Sequence, residues 1–205
     1  MKLYYAPGAC SLSPHIVMRE LGIPVELKKV NTKDKTIEGG GDYTKVNGRG
    51  YVPALELDNG QVLTEGPAIV QYLADQKPDA GLAPRAGSLE RYRLQEWLNF
   101  LTSEVHKSFS PLFKPNTPEE YKKIAKENLA ARFDWLEQQI AGKDYLTGKT
   151  FTVADAYLFV LLNWTKFQSI DLARWSNLAA FHARVGARPK VQEALQAEGL
   201  LKKAA

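Results

Sequence analysis

The chain contains a single cysteine, Cys10, within Pro7-Gly8-Ala9-Cys10-Ser11-Leu12-Ser13-Pro14. A strand-like run, KLYYA (2–6), precedes this segment and an apolar helical spacing comes after it. Ser13 is a good N-cap and Pro14 a good first helical residue, so a helix is expected to open at or near Ser11–Pro14. Cys10 then lies close to a helix N-terminus, where the partial positive charge and free amides favour thiolate over thiol. Such a thiolate could attack a disulfide or accept a hydrogen bond from another thiol. Cys-x-x-Ser has no second thiol to resolve a mixed disulfide, so an external one would be needed. The other reading is a small buried hydrophobe; the strand-to-helix turn favours the functional one.

Three more groups of residues have chemistry to offer. In Tyr51-Val52-Pro53, a cis bond before Pro53 would open the Val52 amide and carbonyl to an extended peptide lying antiparallel; otherwise Pro53 marks an edge strand. In Leu63-Thr64-Glu65-Gly66-Pro67, Gly66 opens a helix and offers an amide to a carboxylate, and Glu65 can pair with an adjacent ammonium. An α-amino acid group carries both charges at that separation. Glu65 could instead only complement the helix dipole. In the second half of the chain, Asn99, Ser103 and His106 fall at i, i+4 and i+7, with Lys107 adjacent. His106 could donate to a carboxylate or a sulfur, or the face is simply solvated. His15 and His182 are weaker candidates. No metal-ligand spacing is present, and Gly39-Gly40-Gly41 lacks the Gly-Lys-Ser/Thr of a phosphate loop.

The elements that must position these groups change character along the chain. KLYYA is a strand, Pro14 to Leu21 a helix ended by Gly22, and VELKKV (25–30) a strand of period two. Residues 31–50 show no period and read as loop or weak helix. YVPALELD and QVLT flank Asn59-Gly60, a hairpin signal, and Gly66 to Gln76 is helical. The order β-α-β, an ill-defined stretch, then β-β-α matches a thioredoxin-like fold. Lys77 to Gly87 is a Pro/Gly-rich linker, and the chain beyond it reads as helical. Leu94, Leu98, Leu101, Val105, Phe109 and Leu112 form one stripe; Leu129, Phe133, Leu136 and Ile140 form another. Thr152 and Asp155 make a capping box before the apolar run AYLFVLLNW, expected to run through the middle of a helical domain. The expected class is α/β plus all-α, with domains at 1–80 and 87–205.

Bulk composition narrows the function. A chain of 205 residues buries a full core without a staple. The net charge of +4 comes from scattered residues and forms no basic stripe, which argues against nucleic acid. One cysteine excludes an internal disulfide and points to a reducing compartment, taken as the cytoplasm. No signal-peptide core and no membrane-length apolar run is seen.

Together, MKLYYAPGACSLSPH, GYVPAL, LTEGPAIVQYLAD, EWLNFLTSEVHKSFSPLF and FTVADAYLF resemble the glutathione S-transferase family, specifically its bacterial beta class, over nearly the whole chain. Cys10 in its context, joined to Val105-His106-Lys107, carries the class resemblance. It implies the glutathione S-transferase fold, a homodimer, and glutathione as co-substrate with no metal. It would place glutathione against Cys10, with Val52 and Pro53 presenting the backbone pair and Glu65 and Gly66 holding the γ-glutamyl end. Asn99, Ser103, Glu104, Val105, His106 and Lys107 match the helical segment that closes the site, and Lys35 matches a lysine that reaches the peptide. The family usually has Asn-Pro-x-Gly before the Val-Pro pair. Here it is Asn47-Gly48-Arg49-Gly50, and the loss of a fixed φ is expected to loosen residues 33–50.

The implied reaction is conjugation of the glutathione thiolate to a hydrophobic electrophile, with Cys10 and His106 facing the sulfur and Phe109, Phe113, Trp164 and Phe167 lining the second pocket. Bringing a thiol from about 9 to below 7 requires about 3 kcal/mol, which a helix end plus His106 can supply. Two other functions are compatible: a glutathione-dependent thiol-disulfide oxidoreductase acting through a Cys10 mixed disulfide, and a non-enzymatic glutathione or hydrophobic-ligand binder.

Overall fold

The computed structural model describes residues 1–201 and divides into two compact units. The first is Met1–Ala80 together with the described residues from Gly186 onward, and the second is Gly81–Val185.

In the first unit, β1 (Lys2–Tyr5), α1 (Leu12–Leu21), β2 (Glu26–Asn31), β3 (Thr36–Ile37), β4 (Ala54–Glu56), β5 (Val62–Thr64) and α2 (Gly66–Gln76) occur in that order. The sheet runs β3-β2-β1-β4-β5. Only β1 and β2 are parallel, as the helical crossover between them requires; the other pairs are antiparallel. The β4–β5 hairpin turns through Asp58-Asn59-Gly60, with Gly60 at φ 81 and its amide on the Leu57 carbonyl.

Period two sends Leu3 and Tyr5 to one face of β1 and Tyr4 to the other. Tyr4 packs with Val30, Ala54 and the fully buried Tyr43. Tyr43 therefore anchors the segment expected to be loose. Residues 33–50 contain β3 and a 3-10 turn, Tyr43–Lys45, and the Asn47 side chain donates to the Tyr51 carbonyl at 2.7 Å. A buried ring and a side-chain amide supply the order that a proline would have given.

In the second unit, α3 (Leu89–Phe100) continues through a π-helical segment, Leu101–His106, into α4 (Lys107–Phe113); α5 (Glu119–Ile140), α6 (Val153–Phe167) and α7 (Ser176–Gly186) come next. Both apolar stripes are buried as spaced. Every residue of α6 from Val153 to Leu162 is buried. At its start Asp155 accepts from the Thr152 amide at 2.7 Å, the Thr152 hydroxyl at 2.8 Å and the Leu146 amide at 2.8 Å.

The last helix, α8 (Pro189–Ala197), packs on α1 and belongs to the first unit, not to the helical part expected to extend to 205. Ion pairs and hydrogen bonds draw it there. Arg188 forks onto Glu20 at 2.7 and 2.9 Å. Buried Glu198 accepts from the Gly8 amide and meets His15 Nδ1, each at 2.9 Å.

Candidate functional site

Cys10 lies in the turn before α1, which starts at Leu12, within the Ser11–Pro14 span expected for its opening. Ser11 is the N-cap residue, but its hydroxyl serves the strand end instead of the helix: it accepts from the Ala6 amide and donates to the Ala6 carbonyl. Ser13, expected to cap, sits inside the first turn with its hydroxyl buried and without a hydrogen-bond partner. The turn is closed by the Leu12 amide on Ala9 and the Ser13 amide on Cys10. Behind it, Gly8 is held by Glu198.

The Cys10 thiol keeps part of its residue surface open and donates to the Val52 carbonyl at 3.3 Å. Burial pushes this thiol up to about 12; the amides of Cys10 and Ser11 oppose the rise and the Glu65 carboxylate adds to it. Burial thus acts against the thiolate expected at Cys10: the helix end is present, but desolvation of the charged form opposes it.

The Val52–Pro53 peptide is cis. Next to it, a Cβ on Gly66 would stand 4.0 Å from Pro53 Cγ. Gly66 is the first residue of α2 and Glu65 its N-cap residue. Glu65 has φ 66, a left-handed conformation that costs a residue with a Cβ about 1–3 kcal/mol and tends to mark functional positions. Its side chain does not cap α2; it reaches the Arg49 guanidinium. Cys10, Val52, Pro53, Glu65 and Gly66 thus form one neighbourhood. Lys35, itself at φ 59, donates to the Gly50 carbonyl at 2.9 Å and lies 5.7 Å from the Tyr51 ring, on the loop leading into Val52.

The π-helical segment adds a residue to the turn, so Asn99, Ser103 and His106 do not share the single face expected from α-helical spacing. Asn99 and Ser103 are exposed, and the Ser103 hydroxyl donates back to the Asn99 carbonyl at 3.1 Å. His106 turns inward: its Nδ1 is 2.6 Å from the Tyr157 hydroxyl and its ring meets Trp164 edge-on at 4.8 Å. Burial, helped by the Lys107 charge, lowers His106 to about 4, so it is a neutral imidazole at pH 7. Val105 is fully buried in the apolar stripe and presents no side chain to a ligand. Glu104 is engaged by Arg132 at 2.8 Å, and Lys107 is exposed. Of the expected pocket aromatics, Phe109 is fully buried core, Trp164 is nearly so, and Phe113 and Phe167 are 48% and 65% exposed.

Sequence reasoning missed Tyr157, Glu198 and the Arg49–Glu65 pair. Tyr157 lies inside an apolar run, and Glu198 is 183 residues from His15, so neither carries a local signal. Arg49 had one: a cation between two glycines beside a proposed peptide edge. Among the described residues no cluster of His, Cys, Asp or Glu is arranged to hold a metal, and no helix is long and apolar enough to cross a membrane.

This geometry has counterparts. Residues 8–76 match the glutathione S-transferase N-terminal domain and residues 103–198 the C-terminal domain. The chain is 47% identical over 200 residues to glutathione S-transferase GstA of Escherichia coli O157:H7, covering 98% of this chain and 100% of that protein. Solved structures include a ternary complex of BphK, a bacterial glutathione S-transferase, at 55% identity and TM-score 0.96, covering 98% and 100% of the two chains. A beta-class glutathione S-transferase of Sphingomonas chungbukensis matches at 49% identity and TM-score 0.96, with the same coverage. The chain belongs to the glutathione S-transferase family and has its fold, a thioredoxin-like sheet unit and a helical unit. Within the family it is a beta-class glutathione transferase, and it is an enzyme.

Proposed function

We propose that the protein conjugates the thiolate of glutathione to hydrophobic electrophiles, with the tripeptide held along the neighbourhood of Cys10, Val52, Pro53, Glu65 and Gly66. The observation that carries this is the Cys10 thiol donating to the Val52 carbonyl beside the start of α2. A bound peptide would pair with the Val52 main chain, its γ-glutamyl carboxylate at the Gly66 amide and its ammonium at Glu65. Lys35 would support the peptide from the adjoining loop.

Catalysis would require an ionised glutathione sulfur. A neutral donor suits it, and the Cys10 S–H, whose ionisation burial opposes, is one. Glutathione loses its thiol proton to solvent. The sulfur pair then forms the bond to carbon, and the leaving group, such as chloride, departs with its own electrons. Phe113 and Phe167 would offer apolar surface to the electrophile.

We further propose a homodimer in the cytoplasm with a role in detoxification. Trp97, Phe100 and Trp135 cluster on α3 and α5 at centroid distances of 4.6–6.3 Å, and Leu89 and Tyr92 on α3 are largely exposed. Such a patch suits contact with a second copy. The lone cysteine suits a reducing compartment.

The test is turnover of an activated aryl chloride with glutathione, monitored spectrophotometrically, in wild type and Cys10→Ala. Conjugation that falls but persists in Cys10→Ala fits a donor. Turnover of disulfides alone, abolished in Cys10→Ala, would instead make Cys10 the nucleophile of a disulfide oxidoreductase. Glutathione binding with no turnover of either kind would leave a binding protein.

A further inference from the structure

The loop before Val52 presents a cation, Arg49. The Asn47 side chain accepts from the Arg49 amide at 3.2 Å and donates to the Tyr51 carbonyl at 2.7 Å. The Gly50 amide donates to the Asn47 carbonyl at 2.7 Å. Gly50 has φ +64, and a Cβ there would come within 2.9 Å of the Lys35 side chain, so no other residue fits that position without displacing Lys35. This scaffold aims Arg49 at Glu65, where the guanidinium Nη1 pairs with the carboxylate Oε1. Glu65 is held for that meeting in the left-handed region, and neither side chain is buried, at 63% and 64% exposure. An ion pair this open is readily exchanged.

We propose that Arg49 is a specificity-determining residue for the amino-acid end of the ligand: it pairs with Glu65 in the free protein and turns to the ligand's α-carboxylate when the ligand's ammonium takes Glu65. The proposal rests on the glutathione reading above and deepens it. An Arg–Glu pair and an α-amino acid group are complementary in charge. When they meet, one protein ion pair opens and two protein–ligand pairs form, with no charge left alone. A ligand bearing the ammonium without the carboxylate opens the Arg49–Glu65 pair and returns only one. The α2 N-terminus at Gly66 also favours the carboxylate, and Arg49 adds a full charge and a planar fork to it.

The experiment is calorimetric titration of the full-length protein with two peptides: glutathione, and 4-aminobutanoyl-cysteinylglycine, which is the same molecule without the α-carboxylate. Wild type, Arg49→Ala and Arg49→Lys are compared. We expect Arg49→Ala to weaken glutathione about tenfold and to leave the analogue within about twofold, or tighter, because its competitor for Glu65 is gone. Arg49→Lys, which keeps the charge without the fork, should recover part of the loss. Equal weakening of both peptides in Arg49→Ala overturns the proposal, as does tighter binding of glutathione, which would make Arg49 a competitor only. Wild type that binds glutathione with Arg49→Ala unchanged defeats the Arg49 assignment and leaves the glutathione reading standing. Wild type that binds neither peptide defeats both.

Discussion

At the start of α6 the carboxylate of Asp155 is fully buried and accepts from two amides and a hydroxyl. At the start of α2 the carboxylate of Glu65 is exposed, caps nothing, and sits on a left-handed backbone facing Arg49. Both are acidic residues at helix N-termini, where the dipole welcomes them. The first is committed to holding its own chain together. The second is kept accessible at a conformational cost the fold has to offset elsewhere. One helix-end carboxylate is thus satisfied internally, and the other is exposed on a left-handed backbone, as the proposed ligand role of Glu65 requires.

Substitutions can break that comparison. The largest effect is expected from Asp155→Ala, which strands three buried donors. It should cost about 3 kcal/mol and lower Tm by about 10 °C. The KM for glutathione should change little. Glu65→Gln should invert this pattern: Tm shifts by about 1 °C or less, while the KM for glutathione rises about tenfold or more. Thermal melts beside steady-state kinetics read both. A Glu65 variant that melts like Asp155→Ala would show that Glu65 is structural after all.

Acid sharpens the contrast further. His106 and His182 are both lowered to about 4 by burial. Each stays neutral in the folded chain while its unfolded counterpart protonates below about 6.5, so stability is lost as pH falls from about 6.5 to 4, about 1.4 kcal/mol per pH unit per proton. Asp155 acts oppositely: burial raises it to about 6, so its contribution falls as pH rises from its ordinary 3.8 through 6. Chemical denaturation at pH 7, 6 and 5 should show a flatter loss in His182→Gln and a steeper one in Asp155→Asn. The smallest effect is expected at Ser13, whose orphaned hydroxyl is a cost: Ser13→Ala should raise Tm by a degree or two.

Much of this was legible in the sequence because it is local. Strand–turn–helix punctuation marked Cys10, the Val52-Pro53 pair offered a cis bond or an edge strand and is cis beside the interior strand β4, Gly66 opened α2, and Thr152 with Asp155 announced α6. The failures share a cause. The Cys10 pKa depends on desolvation as well as on the helix-end amides, and desolvation is a sum over neighbours distant in the chain that the helix-end argument left out. The inward turn of His106 depends on a π-helical segment that leaves the leucine spacing intact and so gives no periodic signal. The placement of α8 on α1 depends on Arg188, Glu20, His15 and Glu198, far apart in sequence. The order of residues 33–50 came from Tyr43 entering the core, where Gly48 in place of a proline argued for looseness.

The most direct measurement is a crystal structure of the protein grown with glutathione. It should show the tripeptide paired with the Val52 main chain, its sulfur beside Cys10 and its ammonium at Glu65. Glutathione bound elsewhere, with Val52 and Glu65 free of it, would contradict the account.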